Sequence, residues 1–231
     1  MILSKYLAHA GIVSRRKASE LIKTGKVFVN NHVITKPEYV ITEIDRVRIG
    51  KKIITLQQKK YIVLNKPAGV ITTCHDEQGR STVMDLLRKK EFVYPVGRLD
   101  KNTTGILLLT NDGELAYQLT HPKFAIKKVY EVTLDKPFEL NDSTHLKNGI
   151  RLSDGFFKAD MVVRLKNKRK NVVRVTIHSG KKHIIRRIFA KISYTVIALD
   201  RINFAGLTKK GLLRGMWRNL THYEITALHK T

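Results

Sequence analysis

The chain has 231 residues, 42% apolar and 27% charged, with 44 Lys+Arg against 19 Asp+Glu and a formal net charge of +25. At about 100–200 residues per domain, this length accommodates one large domain or a large and a small one, and the composition is that of a globular chain rather than a disordered tail. A lone cysteine, Cys74, excludes an internal disulfide framework and a thiolate zinc cluster; with no apolar run of about 18 residues and no signal-like start, a cytoplasmic protein that does not enter membranes is expected.

The first 60 residues carry 13 Lys+Arg and 4 Asp+Glu. Leu3, Leu7 and Ala10 recur at helical spacing, and Gly11 ends the run. Ser14 is placed to cap a second helix whose buried stripe is Ala18, Leu21 and Ile22, with Gly25 as its stop. Arg15, Arg16 and Lys17 open that helix, where the helix dipole disfavours cations, so phosphates are their expected partners. Val27 and Val29, a turn at Asn30-Asn31 and Val33-Ile34 read as a hairpin, with short strands at Val47, Ile49 and Ile53-Ile54. Gln57-Gln58-Lys59-Lys60 reads as a polar linker.

Beyond it, Tyr61–Leu64 reads as a buried strand and Val70–Thr73 as another. Further strands are expected at Val93–Val96, Ile106–Thr110, Val129–Leu134, Val162–Leu165, Val172–Ile177 and Thr195–Leu199. Helices fit Ser81–Arg88, Gly113–Leu119, Asn141–Lys147 and His183–Lys191, and Thr221-His222-Tyr223-Glu224 is a capping box for a last one. Strands dominate without regular strand–helix alternation, which favours an α+β domain with a largely antiparallel sheet.

The charge excess is spread along the chain rather than gathered on one amphipathic helix, so nucleic acid is the expected polyanion. From Arg164 to Arg187 there are 10 Lys+Arg and no acid, a segment expected to line RNA. Cys74-His75-Asp76 has no second cysteine or spaced histidine pair beside it, so no metal site is expected. Trp217 reads as core or strand packing and His121 as a structural loop residue. The segment richest in chemistry is Gly97-Arg98-Leu99-Asp100-Lys101-Asn102-Thr103-Thr104-Gly105, which runs into Ile106–Thr110. It is a glycine-punctuated loop presenting Arg98 and Asp100 against an apolar strand, suited to hold an ionised carboxylate beside a cation. Neither GxxxxGK[ST] nor GxGxxG is present, so the glycines are not a phosphate cradle.

The stretch Gly97–Gly113 resembles the signature of the RNA pseudouridine synthases of the RsuA/RluB/RluE/RluF type, which isomerise uridine in ribosomal RNA. Residues 1–58, through Leu7–Gly11 and Ser14–Ala18, resemble the S4-like RNA-binding domain that precedes the catalytic domain in that family. Leu64–Val70, Thr120-His121-Pro122, Lys128–Val132 and Arg186-Arg187 match further family blocks in order. The resemblance implies an S4-like domain at 1–58 and a pseudouridine synthase domain at 59–231, with a mixed, largely antiparallel sheet flanked by helices. It implies a monomer acting on ribosomal RNA without cofactor or metal, and Thr72-Thr73, Gly79–Val83 and Asn111–Ala116 lie nearest the large-subunit branch.

It further implies that Asp100 is the catalytic aspartate, that Tyr130 packs against the base and assists proton transfer, and that Arg186 pairs with Asp100. Arg98 would hold the RNA or shape the loop, and Arg15, Arg16, Lys17, Lys181, Lys182 and Arg187 would contact RNA. The chain departs from the family pattern at His183-Ile184, where Arg-Gln is usual, at Ser179 in place of Glu, and at Asn31 in place of a hairpin glycine. The rival expectation is a non-catalytic RNA-binding or ribosome-assembly protein on the same scaffold. A DNA-binding protein is disfavoured because no recognition helix stands out.

Overall fold

The computed structural model describes residues 1–87, 92–165 and 168–231. They fall into two compact units, Met1–Lys59 with Asn111–Gly113, and Lys60–Thr110 with Glu114–Thr231.

The first unit contains α1 (Leu3–His9), α2 (Arg15–Lys23), β1 (Val27–Val29), β2 (His32–Ile34), β3 (Val47–Ile49) and β4 (Lys52–Ile53). The Ser14 hydroxyl accepts the Lys17 N–H and caps α2, as its position predicts. Asn30 and Asn31 both adopt left-handed backbone, with φ of 48° and 71°. Asparagine tolerates that region, so the β1–β2 turn forms without glycine. The sheet order is β2-β1-β3-β4, all antiparallel. Leu3, Leu7, Ala18 and Ile22 pack with Val27, Val29 and Val47 in one core. That packing leaves the Arg15–Lys17 end of α2 exposed.

The second unit contains β5 (Tyr61–Lys66), β6 (Tyr94–Pro95), β7 (Thr104–Thr110), α3 (Gly113–Thr120), a 3-10 turn (Pro122–Phe124) and β8 (Lys128–Leu134). It continues through α4 (Leu140–Asn148), β9 (Ile150–Leu152), β10 (Gly155–Phe157), β11 (Met161–Arg164), β12 (Val172–Ile177) and α5 (Ile184–Lys191). The chain closes with β13 (Val196–Phe204), β14 (Leu207–Thr208), β15 (Trp217–Asn219) and α6 (His222–His229). The main sheet runs β11-β12-β8-β13-β7-β5-β15. Its pairings are antiparallel except β7 with β13, which is parallel at Thr104–Asp200 and Gly105–Arg201. The domain is α+β with a mixed, largely antiparallel sheet.

Side-chain alternation explains why the central strands are continuous apolar runs. Ile62, Leu64, Leu107 and Leu109 enter one core with Ile185, Ile188 and Phe189 of α5. Tyr61, Val63, Ile106 and Leu108 enter the opposite core with Leu115 and Leu119 of α3 and Leu228 of α6. A strand covered on both faces keeps no polar side.

Two local expectations fail. Residues 70–73 form no strand; Ile71 makes one isolated bridge to Thr82, and the Thr72 hydroxyl is drawn away to Leu99. Residues 83–86 form turns rather than a helix, because the Asp85 carboxylate accepts the Thr82 N–H and closes the chain locally. Arg88 and Lys166, which belong to the expected helix and to the basic segment, lie outside the described residues. The β9–β10 hairpin and the β14 and β15 pairings have no clear periodic signature and were not expected. Trp217 lies on β15 and packs against the first of the two cores.

Candidate active site

The loop carrying Asp100 is clamped through its main chain. Lys66, at the end of β5 and fully buried, donates from Nζ to the carbonyl oxygens of Pro67, Asp100, Lys101 and Thr103 at 2.9–3.1 Å. Burial pushes its ammonium down to about 8, an effect opposed by the nearby Asp100 charge and reinforced by Arg214. From the same segment, the Gly69 N–H bonds the Lys101 carbonyl, and the Thr72 hydroxyl donates to the Leu99 carbonyl at 2.8 Å while accepting the Leu99 N–H. The residues that fail to make a strand at 70–73 therefore clasp the Asp100 loop. Gly105, where the loop enters β7, has φ of +108°, and a Cβ there would stand 2.2 Å from the Arg201 carbonyl oxygen. Only glycine lets β7 approach β13 this closely.

Asp100 lines a cavity of about 360 Å³ with Arg98, Thr103, Lys128, Tyr130 and Arg201, and with the 179–185 segment that leads into α5. That size lies at the lower end for clefts that hold a small ligand. The Asp100 side chain is 40% exposed, more solvated than its apolar flanks suggest, because the loop turns it towards the opening. Tyr130 is 8% exposed and projects from β8, whose burial alternates along its length. Lys128 donates from Nζ to the carbonyls of Ile126 and His178, and burial with the Arg201 charge lowers its ammonium to about 8. Arg201 is 2% exposed, donates from Nε to the Ile106 carbonyl and lies 4.6 Å over the Phe204 ring. Among the described residues it has no carboxylate partner.

The carboxylate's side-chain neighbour is a residue the sequence did not single out for it. His183 Nε2 lies 3.4 Å from Asp100 Oδ1. His183 precedes α5 with φ of +51°, a left-handed backbone that histidine visits more readily than most residues, at a cost of about 1–2 kcal/mol. Arg186, expected to pair with Asp100, instead donates from Nη1 to the Val196 carbonyl at 2.7 Å and is not part of the cavity wall. One turn into α5, it faces the start of β13, whereas His183 stands at the helix entrance beside the loop.

Arg98, Lys181 and Lys182 line the same cavity and are exposed. Lys181 also reaches Asp154, donating to its carbonyl at 2.7 Å. Arg187 lies outside the cavity and pairs through both terminal nitrogens with the Asp154 carboxylate, which it holds down at about 2. Its guanidinium braces the β9–β10 turn rather than standing free. Arg15, Arg16 and Lys17 belong to the first unit, exposed in the first turn of α2. The described residues hold no group of three or more His, Cys, Asp or Glu that could bind a metal ion, and Asp76 of the 74–76 stretch is instead paired to Arg80 at 2.7 Å. No described helix is long and apolar enough to cross a membrane. Lys66 is among the residues of the site that sequence reasoning passed over; the signal was a lysine closing a strand whose first four residues are apolar, where an unpaired ammonium would be untenable.

Residues 60–191 match the RNA pseudouridylate synthase family, and residues 3–47 match the S4 domain. The chain is 41% identical over 232 residues to the ribosomal large subunit pseudouridine synthase B of Bacillus subtilis (strain 168), covering 98% of this chain and 94% of that one. It is 35% identical over 238 residues to the protein of the same name from Buchnera aphidicola subsp. Baizongia pistaciae (strain Bp), covering 99% and 96%. A crystal structure of a pseudouridylate synthase superposes with a TM-score of 0.70 at 28% identity over 99% of both chains. With the family match spanning more than half of its length and these relatives aligned nearly end to end, the chain belongs to the RNA pseudouridine synthases, isomerases that here carry an S4 domain ahead of the catalytic fold.

Proposed function

We propose that this protein isomerises a specific uridine of large-subunit ribosomal RNA to pseudouridine, with Asp100 as the catalytic carboxylate. The observation that carries the reading is the placement of Asp100: its main chain is clamped by Lys66, while its carboxylate, beside His183, lines a cavity that also contains Tyr130. The choice of RNA follows the names of two relatives aligned nearly end to end, both ribosomal large subunit pseudouridine synthase B.

A stacked uridine hides its glycosidic bond and carbon 5, so the nucleotide must leave the helix, at a cost of a few kcal/mol. Stacking on an aromatic side chain and contacts to basic groups return part of that cost. Tyr130 serves as the packing surface, and Arg98, Lys181 and Lys182 at the cavity take the flanking phosphates. The glycosidic bond then breaks, the uracil turns within the cavity and a bond forms from carbon 5 to the anomeric carbon. The proton on carbon 5 departs to solvent and nitrogen 1 gains one, so atoms and electrons balance without an added reagent. Asp100 acts in its ionised form. Residues 1–58 dock the RNA through Arg15, Arg16 and Lys17, and residues 59–231 carry the chemistry. On this reading the protein acts as a monomer, without cofactor and in the cytoplasm. Arg186 supports the start of β13 and Arg187 braces the β9–β10 turn.

The test is tritium release from ribosomal RNA labelled at uridine carbon 5, with unmodified RNA of each subunit, by wild type and Asp100→Asn. The expected outcome is release from large-subunit RNA by wild type alone, with RNA affinity retained by the variant. Salt-sensitive binding of both RNAs without release from either would instead favour an RNA-binding assembly factor on this scaffold.

A further inference from the structure

We infer that His183 is a positioning residue for Asp100, holding the carboxylate in its reactive orientation through an imidazole–carboxylate contact whose loss slows the reaction. The inference rests on the reading of Asp100 given above. Three observations carry it.

The first is geometric. The Lys66 clamp fixes the main chain around Asp100 but touches only its carbonyl oxygen, so the side-chain torsions are left to other contacts. Among the described residues, the contact made by the carboxylate is Oδ1 to His183 Nε2 at 3.4 Å. The contact is long for a hydrogen bond, so it orients the carboxylate rather than binding it tightly.

The second is conformational. His183 occupies left-handed backbone at φ +51° immediately before α5, and strain of this kind persists only where the surroundings hold it. The next two residues, Ile184 and Ile185, are buried in the core that also receives Leu99, the neighbour of Asp100. Both partners of the pair are thus anchored by adjacent residues of one core, and the backbone turn at His183 aims the imidazole along the cavity wall rather than into the helix.

The third is electrostatic. The other charged or titratable side chains of the wall are Arg98 on the Asp100 loop, Lys128 and Tyr130 on β8, Arg201 on β13, and Lys181 and Lys182 beside His183. Lys66 acts on Asp100 from below. Every fixed charge here except Asp100 is positive, and among the described residues His183 is the side chain that reaches the carboxylate itself.

The experiment is single-turnover tritium release, at one fixed pH and saturating RNA, from large-subunit ribosomal RNA labelled at uridine carbon 5. It compares wild type, His183→Asn, His183→Arg and Asp100→Asn, with RNA affinity and the urea midpoint measured alongside. Asparagine keeps the left-handed backbone with a shorter side chain, and arginine restores a long donor facing the carboxylate. Expected is a His183→Asn rate about 10-fold lower than wild type. Affinity and urea midpoint should stay unchanged in that variant, and His183→Arg should recover much of the rate. A His183→Asn enzyme with wild-type rate, or with weakened RNA affinity and an intact rate at saturation, would overturn the inference while leaving Asp100 in place. Release by Asp100→Asn, or none by wild type, overturns the assignment of Asp100 first and the inference with it.

Discussion

Two sets of cations share the walls of one cavity and differ in what surrounds them. Lys66, behind the Asp100 loop, and Lys128 and Arg201, in the wall itself, are buried or half-buried and aim their N–H groups at main-chain carbonyls: the three hydrogens of Lys66 are shared among four, Lys128 faces two and Arg201 one. Arg98 and Lys182 are exposed and make no ion pair among the described residues, and exposed Lys181 is shared with Asp154. The first set shapes the loop that presents Asp100, since a buried ammonium is tolerable only when carbonyl oxygens replace its water. The second set keeps its water and is available to exchange it for phosphate oxygens. Net charge alone does not distinguish them; solvation does, and it assigns one set to stability and the other to RNA.

The contrast can be broken most forcefully at Lys66. Replacing it with Met leaves buried carbonyls without donors, and urea unfolding should register a loss of about 3 kcal/mol or more together with loss of tritium release. Arg201→Met removes one hydrogen bond and a buried charge that has no acidic partner, so the loss should be smaller, about 1–2 kcal/mol by the same measurement.

A pH series sharpens the comparison. The folded chain releases the Lys128 proton at about 8, below the ordinary lysine value of 10.5, so the unfolded chain binds more protons in that interval. Stability should therefore gain from this group as pH rises from about 8 towards 10, and Lys128→Met should flatten that rise. The smallest effect on stability belongs to the rim. Arg98→Ala and Lys182→Ala should each leave the urea midpoint within about 0.5 kcal/mol of wild type. Each should lower the slope of log affinity for RNA against log salt by about 0.7–0.9. A rim variant that unfolded the protein, or a Lys66 variant that only weakened RNA binding, would reverse the roles assigned here.

Local chemistry in the sequence announces the elements that local chemistry makes. Ser14, Asn30-Asn31 and the Thr221–Glu224 capping box each do what their side chains predict, and the capping box is complete, with Arg218 also pairing to Glu224. The apolar runs of β5 and β7 are legible for the same reason, since each side chain has a core to enter on one face or the other. What escapes is what distant residues decide. Val70–Thr73 has strand composition, yet Thr72 is taken by Leu99. Trp217–Asn219 is too short to declare itself and becomes a strand because β5 offers an edge. In the site, Asp100 and Tyr130 fall on one cavity as their motifs imply, while Arg186 is claimed by the Val196 carbonyl and His183 takes the place beside the carboxylate. A helix sequence says that both residues lie near its start; which of them meets a loop more than 80 residues earlier depends on how the entrance bends.

The parallel meeting of β7 and β13 has a consequence for the order in which the molecule is completed. Thr104 donates to the Asp200 carboxylate across 96 residues of chain, and Arg201 reaches the Ile106 carbonyl across 95. Closing so long a loop costs entropy before the contacts return anything, so this junction belongs to the late events of folding. During synthesis, Asp100 emerges long before β13 exists to complete the opposite wall. A partly made chain already carries its basic front segment and is free to meet RNA, but the cavity closes only after residue 201 has left the ribosome and docked. Attachment to a polyanion thus precedes competence for chemistry, and the switch between them is the arrival of one strand.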